Sequence, residues 1–171
     1  ADHLDIYGDA RTMREAFAEF ASQIKENGAL ILKKGVEVAL DNVKAKVYSY
    51  SYSETADFCP ANLQLQEGGY FTFNLVYPAY RTIYGKEVAA GTIEGCTVGI
   101  PGWVNVENGI AAAAAALIGG IEPEKVKDAL AAFQGVERRF DIHLNTPQIA
   151  YIDDYAHHPN EISSAISSIR N

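Results

Sequence analysis

The densest concentration of reactive side chains is the run Tyr151-Ile-Asp-Asp-Tyr-Ala-His-His-Pro159. There two carboxylates, two imidazoles and a phenol leave the end of an apolar strand pattern and precede a helix pattern. Open α/β sheets bind their ligands at that point, outside the carboxyl end of a strand. Asp153 and Asp154 face opposite sides if the strand runs through them, so one of the two meets a given ligand. A polar loop with a capping aspartate is the plain alternative, and it leaves Tyr155, His157 and His158 without a task. A second cluster is Trp103-Val-Asn-Val-Glu-Asn108. Asn105 and Asn108 stand i, i+3 on a helix start, so both amides can donate and accept at one ligand beside an N-terminus that favours anions. Two asparagines there serve equally as caps or turn residues. Third is the arginine pair of Gly135-Val-Glu-Arg-Arg-Phe-Asp141. A guanidinium fork matches phosphate oxygens and stacks on aromatic rings, and it also makes interdomain salt bridges. Fourth, in Ala1-Asp-His-Leu-Asp5, His3 has the chemistry of a metal ligand and Asp5 that of a turn cap.

The elements that must position these groups can be read from periodicity. Met13, Ala16, Phe17, Phe20 and Ile24 recur at helical spacing, with Asp9 as N-cap and Asn27-Gly28 as stop. Ala29 to Leu32 is a short apolar run, the pattern of a strand buried on both faces of a parallel sheet. Tyr48, Tyr50 and Tyr52 then alternate with serines, Leu63 and Leu65 alternate with polar residues, and Phe71 to Tyr77 continues at the same period. Gly68-Gly69 marks a hairpin turn that needs positive φ at both residues, and another strand is expected over Arg81 to Val88. Residues 44 to 98 therefore read as a small antiparallel meander whose tyrosines serve packing. Ala111 to Ala116 lies in a helix ended by Gly119-Gly120, and its small side chains allow close approach to a sheet. Pro123 opens a helix with Val126, Ala129, Leu130 and Phe133 on one face. Two strands follow, Phe140 to Leu144 and Ile149 to Asp153, turning at Asn145-Thr-Pro147. Pro159 opens a last helix with Ile162, Ala165, Ile166 and Ile169 on its buried side.

Composition narrows the function classes. The 171 residues are 48% apolar and 21% charged, which suits a globular core and leaves no run long enough for a membrane helix. With 14 basic and 22 acidic residues the net charge is 14 − 22 = −8, so a broad nucleic-acid or anionic-membrane surface is not expected and an anionic ligand needs a local site. Cys59 and Cys96 lack metal-type spacing, which favours a reducing cytoplasm. The chain opens at Ala1, and its single Met is Met13. This makes a piece of a longer protein the expectation.

The four clusters together resemble the Mur ligases of peptidoglycan synthesis, over essentially the whole chain. Ala-Asp-His-Leu-Asp5 is similar to that family's central-domain motif, and Pro101-Gly102 to Ala111 to its Pro-Gly-x-His-Asn-x-x-Asn helix start. Phe133-Gln-Gly-Val-Glu-Arg-Arg-Phe-Asp141 resembles the interdomain junction, and Asp153-Asp-Tyr-Ala-His-His-Pro159 the carboxy-terminal domain loop. Val104 and Trp103 stand where many relatives carry His and Arg, so contacts of those two side chains are not carried over.

The resemblance implies an α/β fold: part of a Mur ligase central domain, with a parallel α/β layer and a small antiparallel meander, followed by the start of a Rossmann-like carboxy-terminal domain. The expected units are residues 1–137 and 138–171. It also implies a cytoplasmic, ATP- and Mg2+-dependent ligation of L-alanine to UDP-N-acetylmuramate through an acyl phosphate, in cell-wall synthesis. Under it, His3 is a catalytic metal ligand facing the amino acid, and Asn105 and Asn108 lie at the adenine and ribose of ATP. Arg139 contacts ATP across the junction, Asp154, with Asp153, meets the nucleotide, and Tyr155 and the catalytic His157 approach L-alanine. A relative that attaches a tripeptide to the same sugar nucleotide is the near alternative, and a non-catalytic binding or scaffold module the distant one. No Gly-x-x-x-x-Gly-Lys-Ser/Thr phosphate loop occurs in the 171 residues. The expectation is that this loop and the UDP-sugar domain lie upstream, and that this piece alone is inactive.

Overall fold

The computed structural model describes residues 4–170. After a short turn of helix, α1 (Leu4–Tyr7), the helix α2 (Ala10–Ser22) is capped as its sequence requires. The Asp9 carboxylate accepts the Thr12 amide at 2.7 Å. It ends earlier than Gly28, because Gln23 and Ile24 bond to the carbonyls three residues back and tighten the last turn out of α geometry.

Strand β1 (Ala29–Lys33) pairs in parallel with β2 (Lys46–Tyr50), Ala29 opposite Lys46 and Lys33 opposite Tyr50. This corrects the sequence reading twice. The Tyr48 strand belongs to the parallel layer and not to the meander, since a two-residue period marks a strand's two faces but not its partner's direction. The long crossover from residue 34 to 45 permits the parallel return. Residues Ala29 to Leu32 are half-buried, not buried on both faces, as befits a two-stranded sheet with a helix against one side.

The antiparallel meander consists of β3 (Cys59–Leu65), β4 (Phe71–Tyr77) and a later strand, β7 (Gly91–Thr97), in the order β3-β4-β7. Between β4 and β7 lies a hairpin, β5 (Tyr80–Arg81) with β6 (Glu87–Val88). One strand was expected from 81 to 88. Gly85, at φ 88°, instead turns the chain, and the Thr82 amide reaches the Lys86 carbonyl at 2.9 Å. Gly68 and Gly69 both take positive φ, 78° and 79°, as the sequence predicts, although in a loop longer than a two-residue turn. That loop matters for the site, because the Gly69 carbonyl accepts the Gly102 amide at 2.9 Å and so fixes the entry to the next helix.

This helix, α3 (Trp103–Ile118), lies on the sheets with Ile110, Ala113, Ala114 and Leu117 almost wholly buried. The alanine run acts as expected. Phe58, Phe73, Leu75 and Cys96 complete the core; burial pushes the Cys96 thiol up, and both cysteines are free. Helix α4 (Pro123–Ala132) has Pro123 in its first turn and buries Val126 and Leu130. Ala129 and Phe133 share the expected face with them, all four lining one cleft, and both are exposed at its edge, Phe133 by 42%.

The chain then forms the antiparallel pair β8 (Asp141–Asn145) and β9 (Ala150–Asp153) and the helix α5 (Pro159–Arg170). On α5 the expected burial of Ile162, Ile166 and Ile169 is reversed, at 42%, 45% and 59% exposure. Ser164, Ala165 and Ser168 are the half-buried side, turned to the cleft. Amphipathic spacing sets which residues share a face but not which face the rest of the chain covers.

Candidate functional site

A cleft of about 960 Å³ opens between α3 and α4 on one side and the 135–141 junction with α5 on the other. Four residues singled out from the sequence line it: Asn105 and Asn108 from α3, Arg139 from the junction and Asp154 from the end of β9. These come from three segments well separated in the chain. Asp153, Tyr155 and His157 are not on its wall. His3 lies outside the described residues.

Local chemistry explains each placement. Asn105 is partly a helix-entry residue, its side-chain amide donating to the Pro101 carbonyl at 2.6 Å, whereas Asn108 is exposed on the wall. Arg139 is set between two non-glycine residues in left-handed backbone, Arg138 at φ 61° and Phe140 at φ 50°, with Gly135 at φ 94° before them. Side chains rarely adopt that region without compensation. The compensation is a set of hydrogen bonds. The Arg139 amide reaches the Val136 carbonyl at 3.0 Å and the Tyr155 amide reaches the Arg138 carbonyl at 2.8 Å. Asp154 then accepts the Phe140 amide at 3.0 Å and the Ala156 amide at 2.8 Å. It ties the junction to the loop while remaining on the cleft wall.

Arg139 extends toward Glu161, 3.6 Å away, while Arg138 lies 3.8 Å from Asp153 and over the Tyr155 ring at 4.8 Å. The two aspartates therefore serve different neighbours, as the strand geometry predicts. Glu161 caps α5 by accepting the His157 and His158 amides at 3.2 and 3.3 Å. Those amides hold its carboxyl below the usual glutamate range, and the nearby charges of His157 and Arg139 add to the effect. The His157 ring packs edge-on to Tyr155 at 5.2 Å, with Nδ1 3.0 Å from the Tyr155 carbonyl. The histidine and tyrosine thus form one exposed unit beside the cleft.

Two features of the wall escaped sequence reading. Glu107, only 7% exposed, pairs with Lys33 at the carboxyl end of β1, Nζ to Oε2 2.7 Å. Its signal was a carboxylate on the buried stripe of α3, three residues before Ile110 and seven before Ala114. The second is Trp103, whose indole stacks on Tyr52 at 4.8 Å and 28°. Strand pattern alone gave Tyr52 no such partner. Chemically, the cleft offers polar amides, a guanidinium and an aromatic face in a volume suited to a nucleotide-sized ligand. Among the described residues no three His, Cys, Asp or Glu side chains form a metal-ion set.

Comparison with known proteins bears on what such a cleft serves. Residues 1–116 match the Mur ligase middle domain. The UDP-N-acetylmuramate--L-alanine ligase of Parabacteroides distasonis is 43% identical over 99% of this chain, which covers 34% of that protein. The enzyme of the same name from Porphyromonas gingivalis W83 is 38% identical over 99% of the chain and 35% of its own length. The chain thus spans about a third of the length of these relatives. Among solved structures, MurF from Acinetobacter baumannii superposes with a TM-score of 0.74 at 22% identity, over 98% of this chain and 35% of that one. The UDP-N-acetylmuramate-alanine ligase of Thermotoga maritima gives 0.70 at 24% identity, over 99% and 36%. At such identities the two structures speak for the fold.

Proposed function

Because this chain belongs to the Mur ligase family, a family of ATP-dependent ligases, we propose that it is part of an enzyme that joins L-alanine to UDP-N-acetylmuramate in peptidoglycan synthesis. The observation that carries this reading is the convergence of Asn105, Asn108, Arg139 and Asp154 on one cleft. The L-alanine ligases found over the whole chain favour that amino acid. The 171 residues hold the second part of a central domain up to 137 and the first units of a carboxy-terminal domain from 138. The left-handed turns at Gly135, Arg138 and Phe140 support a boundary there. The reaction belongs to the cytoplasm, where the sugar nucleotide and ATP are available, and no helix among the described residues is long and apolar enough to cross a membrane.

ATP, when bound, supplies the phosphoryl group that converts the lactyl carboxylate to an acyl phosphate, which the alanine amine then opens to an amide with release of phosphate. The chain's own residues hold and orient the reactants. Asn108 and Asn105 meet the adenine and ribose side, and Arg139 brings a guanidinium across the junction. Asp154, with Asp153 behind it, keeps the junction and loop in register against the nucleotide. Tyr155 and His157 form the side turned to L-alanine. Positioning and charge neutralisation are what phosphoryl transfer asks of a protein. His3 is the proposed Mg2+ ligand.

The test is phosphate release by the full-length protein with UDP-N-acetylmuramate and ATP, supplied with either L-alanine or the tripeptide. Release with L-alanine is the expected outcome, and release with the tripeptide alone would overturn the assignment.

A further inference from the structure

We propose that Trp103 is the residue on which the nucleotide's base stacks, and that Tyr52 sets the plane of its indole. The inference rests on the nucleotide reading of the cleft and adds a contact to it. Trp103 is the first residue of α3 and lines the cleft together with Asn105 and Asn108. Its indole lies against the Tyr52 ring at 4.8 Å, with the planes 28° apart. Tyr52 itself does not line the cleft. Trp103 thus joins the cleft wall to Tyr52 behind it in the contact chain, and the surface its indole offers a ligand is the part that Tyr52 leaves uncovered.

The ring is also held from the backbone side. Gly102, just before it, donates its amide to the Gly69 carbonyl at 2.9 Å, and Asn105, two residues after it, donates its side-chain amide to the Pro101 carbonyl at 2.6 Å. An aromatic plane fixed this way loses little conformational freedom when a ligand arrives. A purine is the ligand chemistry that fits, because a flat π-system gains most from such a plane, while the Asn108 amide is placed on the same wall to read its polar edge. The charges of the wall point the same way. Lys33 is bound to Glu107 and Arg139 lies near Glu161, so two of the wall's three cations are engaged and the indole is the flat apolar surface beside them that suits a base.

The test uses the full-length protein with ATP, adenosine and inorganic tripolyphosphate as probes, and reads the tryptophan emission that Trp103→Phe removes. ATP and adenosine should quench that emission, and tripolyphosphate at equal concentration should not. Trp103→Ala should weaken ATP binding about tenfold without changing tripolyphosphate binding, and Trp103→Phe should recover most of the loss. If Trp103→Ala binds ATP as the parent does while Asn108→Ala weakens it, stacking is wrong and the nucleotide cleft stands. If ATP binding responds to neither residue, the cleft reading falls and the stacking with it. Should Trp103→Ala fail to fold, the emission experiment decides alone, since emission unmoved by saturating ATP overturns the proposal.

Discussion

At the scale of single residues the most consequential contact is one that composition conceals. Glu107 is a carboxylate in the buried stripe of α3, and Lys33 reaches it from the end of β1, where half of its own side chain stays in water. The two partners are therefore unequal. Replacing Lys33 by Met leaves a buried carboxylate without its cation, whereas replacing Glu107 by Leu frees a lysine that can turn to solvent. Lys33→Met is expected to cost about 1–2 kcal/mol, below the value for a fully buried pair because Lys33 is half-exposed. Glu107→Leu is expected to cost clearly less. Urea denaturation of both variants and of the double variant checks this, and equal costs for the two single variants would contradict it. The pair links α3 to β1, so Lys33→Met should also loosen the end of α3 that carries Asn105 and Asn108.

At the scale of elements, caps and turns fix where the chemistry stands. Glu161 holds the start of α5 through the His157 and His158 amides, and its carboxyl is depressed in the folded protein. A depressed acid contributes while ionised, so the cap is complete above the ordinary glutamate value of 4.5 and is lost as pH falls through the lower folded value. The His157 and His158 amide resonances should therefore titrate with a midpoint below 4.5, and Glu161→Gln should abolish the transition. A midpoint at or above that value would refute the capping role. Legibility differed among elements for physical reasons. The Asp9 cap, the positive φ at Gly68 and Gly69 and the alanine helix are local properties, and each was readable from a few residues. The partner of the Tyr48 strand and the outward isoleucines of α5 depend on what other segments bring against them. Periodicity carries no such information. The same limit applied to the site, where Asn105, Asn108, Arg139 and Asp154 were readable as residue types in motif context, but Lys33 with Glu107 and Tyr52 with Trp103 are pairs made only by folding.

At the scale of the whole molecule, charge decides what these residues can do alone. The chain carries −8, and two of the three cations on the cleft wall are offset by acids there: Lys33 by Glu107, and Arg139 by Glu161, with Asp154 nearby, while Lys125 is the third. An anionic triphosphate gains less from such a wall than its three basic residues alone would offer. The 171 residues also contain no phosphate loop whose backbone amides and lysine could supply the missing field. The wall nonetheless retains the indole, the asparagine amides and the cavity, the groups that the proposed nucleotide reading gives to the base and ribose. It follows that the isolated chain should distinguish poorly between adenosine and ATP, and should bind both weakly, with dissociation constants of about a millimolar or more. Titration calorimetry with the two ligands is the check. Micromolar ATP binding, or a large preference for ATP over adenosine, would mean that the phosphates find strong partners within these residues, and the proposed dependence on a phosphate loop outside them would have to be redrawn.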